Sequence, residues 1–229
     1  MFKNGLLLIF TLFMVAACAT DNQHAPLTNL SDIKNHLIEY KNSGAYESDI
    51  KAVTHEARLY IEIQAHQVPR PALVLDIDET SLSNWPALQA NDFGWITEGP
   101  CKNLPQGPCG FKAWQALSKD EAIAPTLGLF KAAKAHGVAI FFITGRDESL
   151  RKATEKNLHD VGYDSWQELI MRPKGTTTPS ATDYKTPARA KIEAEGYTII
   201  ANVGDQPSDL AGGHAERTYL VPDPFYRIP

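Results

Sequence analysis

The sequence predicts an α/β protein: a parallel sheet with helices on both faces. Three observations carry this. Short apolar runs at Ala72–Leu75, Val138–Ile143, Glu168–Met171 and Thr198–Val203 alternate with segments of helical spacing, and strands alternating with helices imply parallel pairing. The first run is apolar throughout, as in a strand covered on both sides. Polar residues begin where these runs should end, at Asp76-Ile77-Asp78-Glu79-Thr80, Thr144-Gly145-Arg146 and Gly204-Asp205. That edge is where ligands bind in open α/β sheets.

In chain order, Met1–Asn4 is a short positive start and Gly5–Ala17 is apolar but too short to span a bilayer, a secretory pattern. Residues 1–17 are read as a signal peptide and 18–30 as a tether. Asn29 or Ser31 can cap a helix through Ile33, Leu37, Ile38 and Tyr40, which Gly44 ends. A second helix covers Tyr46–His66, so residues 31–68 form an N-terminal helical extension packed on the core. Pro69 and Pro71 precede the first core strand, and residues 69–229 are the core, with a small cap insertion at about 85–125. Helices are expected at Pro125–His136, Glu148–His159 and Tyr184–Ala194, and a fifth strand at Arg217–Val221. The fold class is a Rossmann-like parallel sheet so decorated.

Asp76 and Asp78 stand two apart, so on an ideal strand they share a face. Two such carboxylates repel unless a cation lies between them. This points to a metal-assisted site with one Asp free to attack or to move a proton. With 229 residues the chain can bury a sizeable core. Its net charge of -5 and lack of a basic run give no sign of a nucleic-acid polymer as partner.

Four motifs in order, LDIDETSLSN (75–84), FITGRDESLRKATEKNL (142–158), YKTPAR (184–189) and VGDQPSDL (203–210), resemble the haloacid dehalogenase (HAD) superfamily. Within it they are most similar to the acid phosphatase branch of plant vegetative storage proteins and bacterial outer-membrane lipoprotein acid phosphatases. The resemblance implies a HAD-like fold and a Mg²⁺-dependent acid phosphatase. It would hydrolyse phosphate monoesters, nucleoside monophosphates among them, through an aspartyl-phosphate. On this resemblance Asp76 is the nucleophile and Asp78 the general acid and base. Thr144, Gly145 and Lys185 hold the phosphoryl group. Asp76, the Asp78 carbonyl, Asp205 and Asp209 hold the metal.

Several positions have rival readings. Lys174 competes with Lys185, and Asp209 can simply cap a helix. Arg146 is a candidate substrate contact, although surface arginines are usually solvated or salt-bridged. Trp85 is the best placed of the tryptophans to stack on an aromatic leaving group, although tryptophans more often pack a core or cap. Val15-Ala16-Ala17-Cys18 resembles a lipobox, so Cys18 is a candidate lipidated residue anchoring the chain to the outer membrane or leaving it in the periplasm. Cys101 and Cys109 then remain, as a disulfide in an oxidising compartment or a two-Cys zinc site without nearby His. Two non-hydrolase classes share part of this pattern. A receiver domain lacks a second Asp at Asp78 and the late GDxxxD, and a storage protein need not keep Asp76.

Overall fold

The computed structural model describes residues 27–175 and 180–228; the signal and tether readings up to residue 26, Cys18 included, lie outside them. Five strands form one sheet in the order β5-β4-β1-β6-β7, every neighbouring pair parallel. They are β1 (Pro71–Leu75), β4 (Ala139–Asp147), β5 (Glu168–Arg172), β6 (Thr198–Gly204) and β7 (Arg217–Leu220).

Alternation along the strands feeds two separate apolar layers. Leu73, Leu75, Ile140, Phe142 and Ile200 face one side, with α2 (Ala45–Gln64), α5 (Ala124–Ala135) and α6 (Arg151–Asp160). Ala72, Val74, Phe141, Ile143 and Ile199 face the other, against Ala188 and Ile192 of α7 (Thr182–Ala194). That two-sided cover is why β1 and β4 are apolar at consecutive positions.

The N-terminal helices divide the work. α2 buries Tyr46, Ile50, Ala57 and Ile61 in the core, whereas α1 (Leu30–Asn42) buries no residue fully. α1 rests on the core through Leu37 and Tyr40 and pairs Lys34 with Asp92 of the insertion. Asn29 caps α1 by accepting from the Ser31 amide at 2.8 Å.

Three elements differ from the sequence expectation. β4 continues past Ile143 to Asp147, so Arg146 lies on the sheet rather than on a surface helix. The helix expected from Glu148 begins as a 3₁₀ turn, Glu148–Leu150, before α6. A short helix, α8 (Pro207–Leu210), falls inside the last motif, four residues being too few for a periodic signal.

The insertion is closed at its base by β2 (Leu82–Ser83) pairing antiparallel with β3 (Glu121–Ala122). Between them lie α3 (Trp85–Ala90) and α4 (Phe111–Ala116). Cys101 and Cys109 are joined as a disulfide. Asn91 locks the same loop, donating to the Cys109 carbonyl and accepting from its amide, each at 2.8 Å.

Candidate active site

The sheet delivers its acidic residues to one edge. β1 ends at Leu75 and the chain turns through Asp76–Ser81, where the Ile77 carbonyl accepts the amides of Thr80, Ser81 and Leu82. This tight loop leaves the Asp78 carbonyl without a hydrogen bond from any described residue. β6 ends beside it, placing Asp205 at the same edge, and the Asp76 amide donates to the Val203 carbonyl at 3.0 Å. α8 adds Asp209.

Asp76, Asp205 and Asp209 each offer a carboxylate oxygen within 4.8 Å of the others. All three residues are buried. Lys185 is the ammonium among them, bound to Asp76 and, at 2.6 Å, to Asp209. Lys174 sits exposed on the turn after β5. Asp209 does cap a helix, α8, and it also reaches the acidic cluster. Its Oδ1 accepts from Lys185 and its Oδ2 from the Gln206 amide at 2.9 Å. Gly204 makes room for this, because a Cβ there would lie 2.5 Å from the Asp209 Cβ.

The Asp76 carboxyl is raised to about 7: burial pushes it up, Lys185 pulls it down, and repulsion from Asp209 and Asp78 pushes it up again. Burial, then repulsion from Asp209, Asp76 and Asp223, raises Asp205 well above the usual carboxylate range. Lys185 is raised as well: burial opposes its charge, but Asp209 and Asp76 outweigh burial. One ammonium does not balance three clustered carboxylates. A divalent cation at their shared position would, and it would favour the ionised form of each. Carboxylates with a free loop carbonyl are a donor set that suits a hard dication.

Asp78 stands outside that cluster. Its side chain is 20% exposed, and Arg146 grips it through Nε at 3.1 and 3.2 Å and Nη2 at 2.8 Å. Asn84 donates to the same carboxylate at 2.9 Å. Burial pushes Asp78 up, but Arg146 and Asn84 more than offset it and leave the carboxyl below its usual value. Arg146 is therefore a buried partner of Asp78 rather than a solvated side chain, and it also lines the cavity. It also meets Asp120, at 3.4 Å.

Thr144 is fully buried, its hydroxyl accepting from the Arg146 amide at 3.1 Å. Gly145, next to it, lines the cavity, and a Cβ there would meet the Tyr184 hydroxyl at 2.8 Å.

A cavity of about 310 Å³ opens above Asp76 and Asp78. Its far wall is aromatic: Trp95 stacks on Phe111 with ring centroids 4.3 Å apart and meets Tyr226 at 4.7 Å. Trp85, the sequence candidate, instead packs between Phe93 and Phe225 and does not line the cavity. Within the insertion, Trp85 packs on the core while Trp95 faces the cavity. Tyr226 is tied down by its hydroxyl, which donates to Glu79 at 2.8 Å. Glu79 also accepts from the Asn84 amide at 2.6 Å and, by burial first and then Asp223 and Asp78, is raised to about 8. Asp120, Phe111 and Tyr226 carried no readable pattern, and closeness to the catalytic loop favoured Trp85 over Trp95 among the tryptophans that could stack on substrate. Glu79 lay inside the first motif without an evident task.

Residues 14–229 match the family described as HAD superfamily, subfamily IIIB (acid phosphatase). The chain is 35% identical over 194 residues to a stem 28 kDa glycoprotein of Glycine max, covering 83% of this chain and 72% of the relative. It is 29% identical over 211 residues to acid phosphatase 1 of Solanum lycopersicum, covering 91% and 80%. The class C acid phosphatase from Bacillus anthracis has the same fold, with a TM-score of 0.67, 20% identity and 86% of each chain covered. An acidic cluster with its lysine at the carboxyl edge of such a sheet, and a family match running to the last residue, place this chain in the HAD superfamily, subfamily IIIB, among the phosphoric monoester hydrolases.

Proposed function

We propose that the chain is a Mg²⁺-dependent acid phosphatase that works through a phosphoryl group on Asp76. The observation that carries this is the convergence of Asp76, Asp205 and Asp209 on one point beside Lys185, with Asp78 held apart. Asp76, the Asp78 carbonyl, Asp205 and Asp209 would hold the cation. When bound, it supplies charge that offsets the phosphoryl oxygens and favours ionised Asp76.

In the first half-reaction an Asp76 oxygen attacks phosphorus and the bond to the leaving oxygen breaks. Asp78 gives that oxygen its proton, drawn beforehand from acidic solvent. The arriving phosphate anion favours the protonated form of Asp78 by like-charge repulsion. In the second half-reaction Asp78 takes a proton from water as the water oxygen attacks phosphorus, freeing Asp76 and inorganic phosphate. Lys185 and the Gly145–Thr144 segment steady the phosphoryl oxygens throughout; the protein's task is positioning and charge neutralisation.

The aromatic wall of Trp95, Phe111 and Tyr226 supports substrates that carry a flat aromatic ring, whether in an aryl leaving group or in the base of a nucleoside monophosphate. Replacing Asp76 with Asn should abolish hydrolysis of an aryl phosphate, and EDTA should suppress the wild type until Mg²⁺ is restored. Activity surviving both treatments would refute the mechanism. Among the described residues no helix is long and apolar enough to cross a membrane. Outer-membrane or periplasmic placement, with Cys18 as the lipid anchor, is the accompanying proposal. Mass spectrometry of the mature N-terminus tests it: an unmodified Cys18 would remove the anchor.

A further inference from the structure

Arg146 and Asp120 form a buried pair that the reaction as written does not use. Both side chains are fully buried. Arg146 spends its Nε and Nη2 on Asp78, and Nη2 also faces Asp120 Oδ2 at 3.4 Å. Arg146 is the only ion-pair partner of Asp120 among the described residues. Asp120 itself is fixed through its main chain: its amide donates to Asn157 Oδ1 at 2.9 Å and its carbonyl accepts from Asn157 Nδ2 at 2.7 Å. It stands at the foot of the insertion, one residue before β3, while Asn157 belongs to α6 of the core.

Burying a carboxylate opposite a guanidinium is costly, and such pairs are weak evidence of stabilisation. A geometric task explains this one better. Asp78 lies two residues from Asp76, close enough for its side chain to compete for the cation. Its carboxylate is nevertheless outside the Asp76–Asp205–Asp209 cluster and borders the cavity. Arg146 holds it there with three contacts, and Asp120 faces the same Nη2 that bonds Asp78.

We infer that Asp120 and Arg146 are positioning residues: together they aim the Asp78 carboxyl at the leaving oxygen and keep it out of the cation site. This rests on the reading of Asp78 as proton donor under Proposed function. It also makes the insertion a contributor to proton transfer, because Asp120 is one of its residues.

The readout is the dependence of kcat/KM on the leaving group, measured with Mg²⁺ across aryl and alkyl phosphates of increasing leaving-group pKa. An acidic phenol departs without help, whereas an alkoxide needs the proton. Relative to wild type, Asp78→Asn should lower kcat/KM for alkyl phosphates at least about tenfold more than for acidic aryl phosphates, within the range of general-acid effects. Asp120→Asn should reproduce that steepening, and so should Arg146→Lys, which keeps the charge but not the two-nitrogen edge. The alkyl-to-aryl ratio is taken within one preparation, so a partly unfolded sample leaves it unchanged. If Asp78→Asn steepens the dependence while Asp120→Asn and Arg146→Lys parallel wild type, the positioning role is overturned and the reading of Asp78 stands. If Asp78→Asn itself parallels wild type, both fall.

Discussion

Asp76 and Asp78 share a loop, a charge and a motif, yet the structure separates them. Asp76 faces Lys185 and two more aspartates, whereas Asp78 faces Arg146 and Asn84. The difference makes a sharp expectation for Asp78→Asn. Titration calorimetry should show Mg²⁺ binding largely retained, because only the backbone carbonyl of Asp78 is offered to the cation, while turnover of alkyl phosphates falls about 10²–10⁴-fold. Loss of Mg²⁺ binding in this variant would contradict the division of labour. Asp76, Asp78, Lys185, Asp205 and Asp209 were legible in the sequence because each follows a strand run or opens a helix. Arg146 and Asn84 lay inside the motifs, but their hold on Asp78 was not legible, and neither was Asp120 behind Arg146. Asp120 has no motif around it, and only the folded insertion brings it to Arg146. Trp85 misled for the opposite reason, since closeness in sequence to the catalytic loop says nothing about which way a helix buries its side chains.

Gly204 and the Cys101–Cys109 loop show how single elements hold the site in register. At Gly204→Ala the new methyl would push on the Asp209 side chain, which bonds both Lys185 and the Gln206 amide. A loss of activity with a smaller loss of thermal stability is expected, and unchanged kinetics would show that the contact is slack. The disulfide closes a short loop beside the aromatic wall. Replacing both cysteines with Ser should cost about 2–3 kcal/mol by loop-closure entropy. It should also raise KM for aryl phosphates more than it lowers kcat, because Trp95 and Phe111 flank that loop while Asp76 does not. Equal changes for aryl and alkyl substrates would argue against an aromatic subsite. Parallel pairing and helix cover were readable because burial on both faces leaves continuous apolar runs, whereas the strand order came only from the fold. The insertion was not, because its short helices and paired ends are set by contacts with the core rather than by periodicity.

For the molecule as a whole, the acidic edge ties stability to pH and to metal. Burial holds Asp76 up to about 7 and Glu79 up to about 8. A carboxyl raised on folding binds more protons folded than unfolded, so its contribution is fully present below its unfolded value and is lost as pH rises through its folded value. Chelator-treated protein should therefore melt at progressively lower temperature as pH rises from 4.5 toward 8. Mg²⁺ should raise the melting temperature most at the alkaline end, where it replaces protons among the carboxylates. A melting temperature that climbs with pH in chelator would refute this coupling. The central claim, that Asp76 carries the phosphoryl group, is tested most directly by trapping it. Asp78→Asn, given Mg²⁺ and an aryl phosphate with an acidic leaving group, should form the Asp76 phosphoryl ester but hydrolyse it slowly. Rapid acid quench and peptide mass spectrometry should then find a phosphoryl group on Asp76. A phosphoryl group on another side chain, or none while turnover continues, would contradict the account.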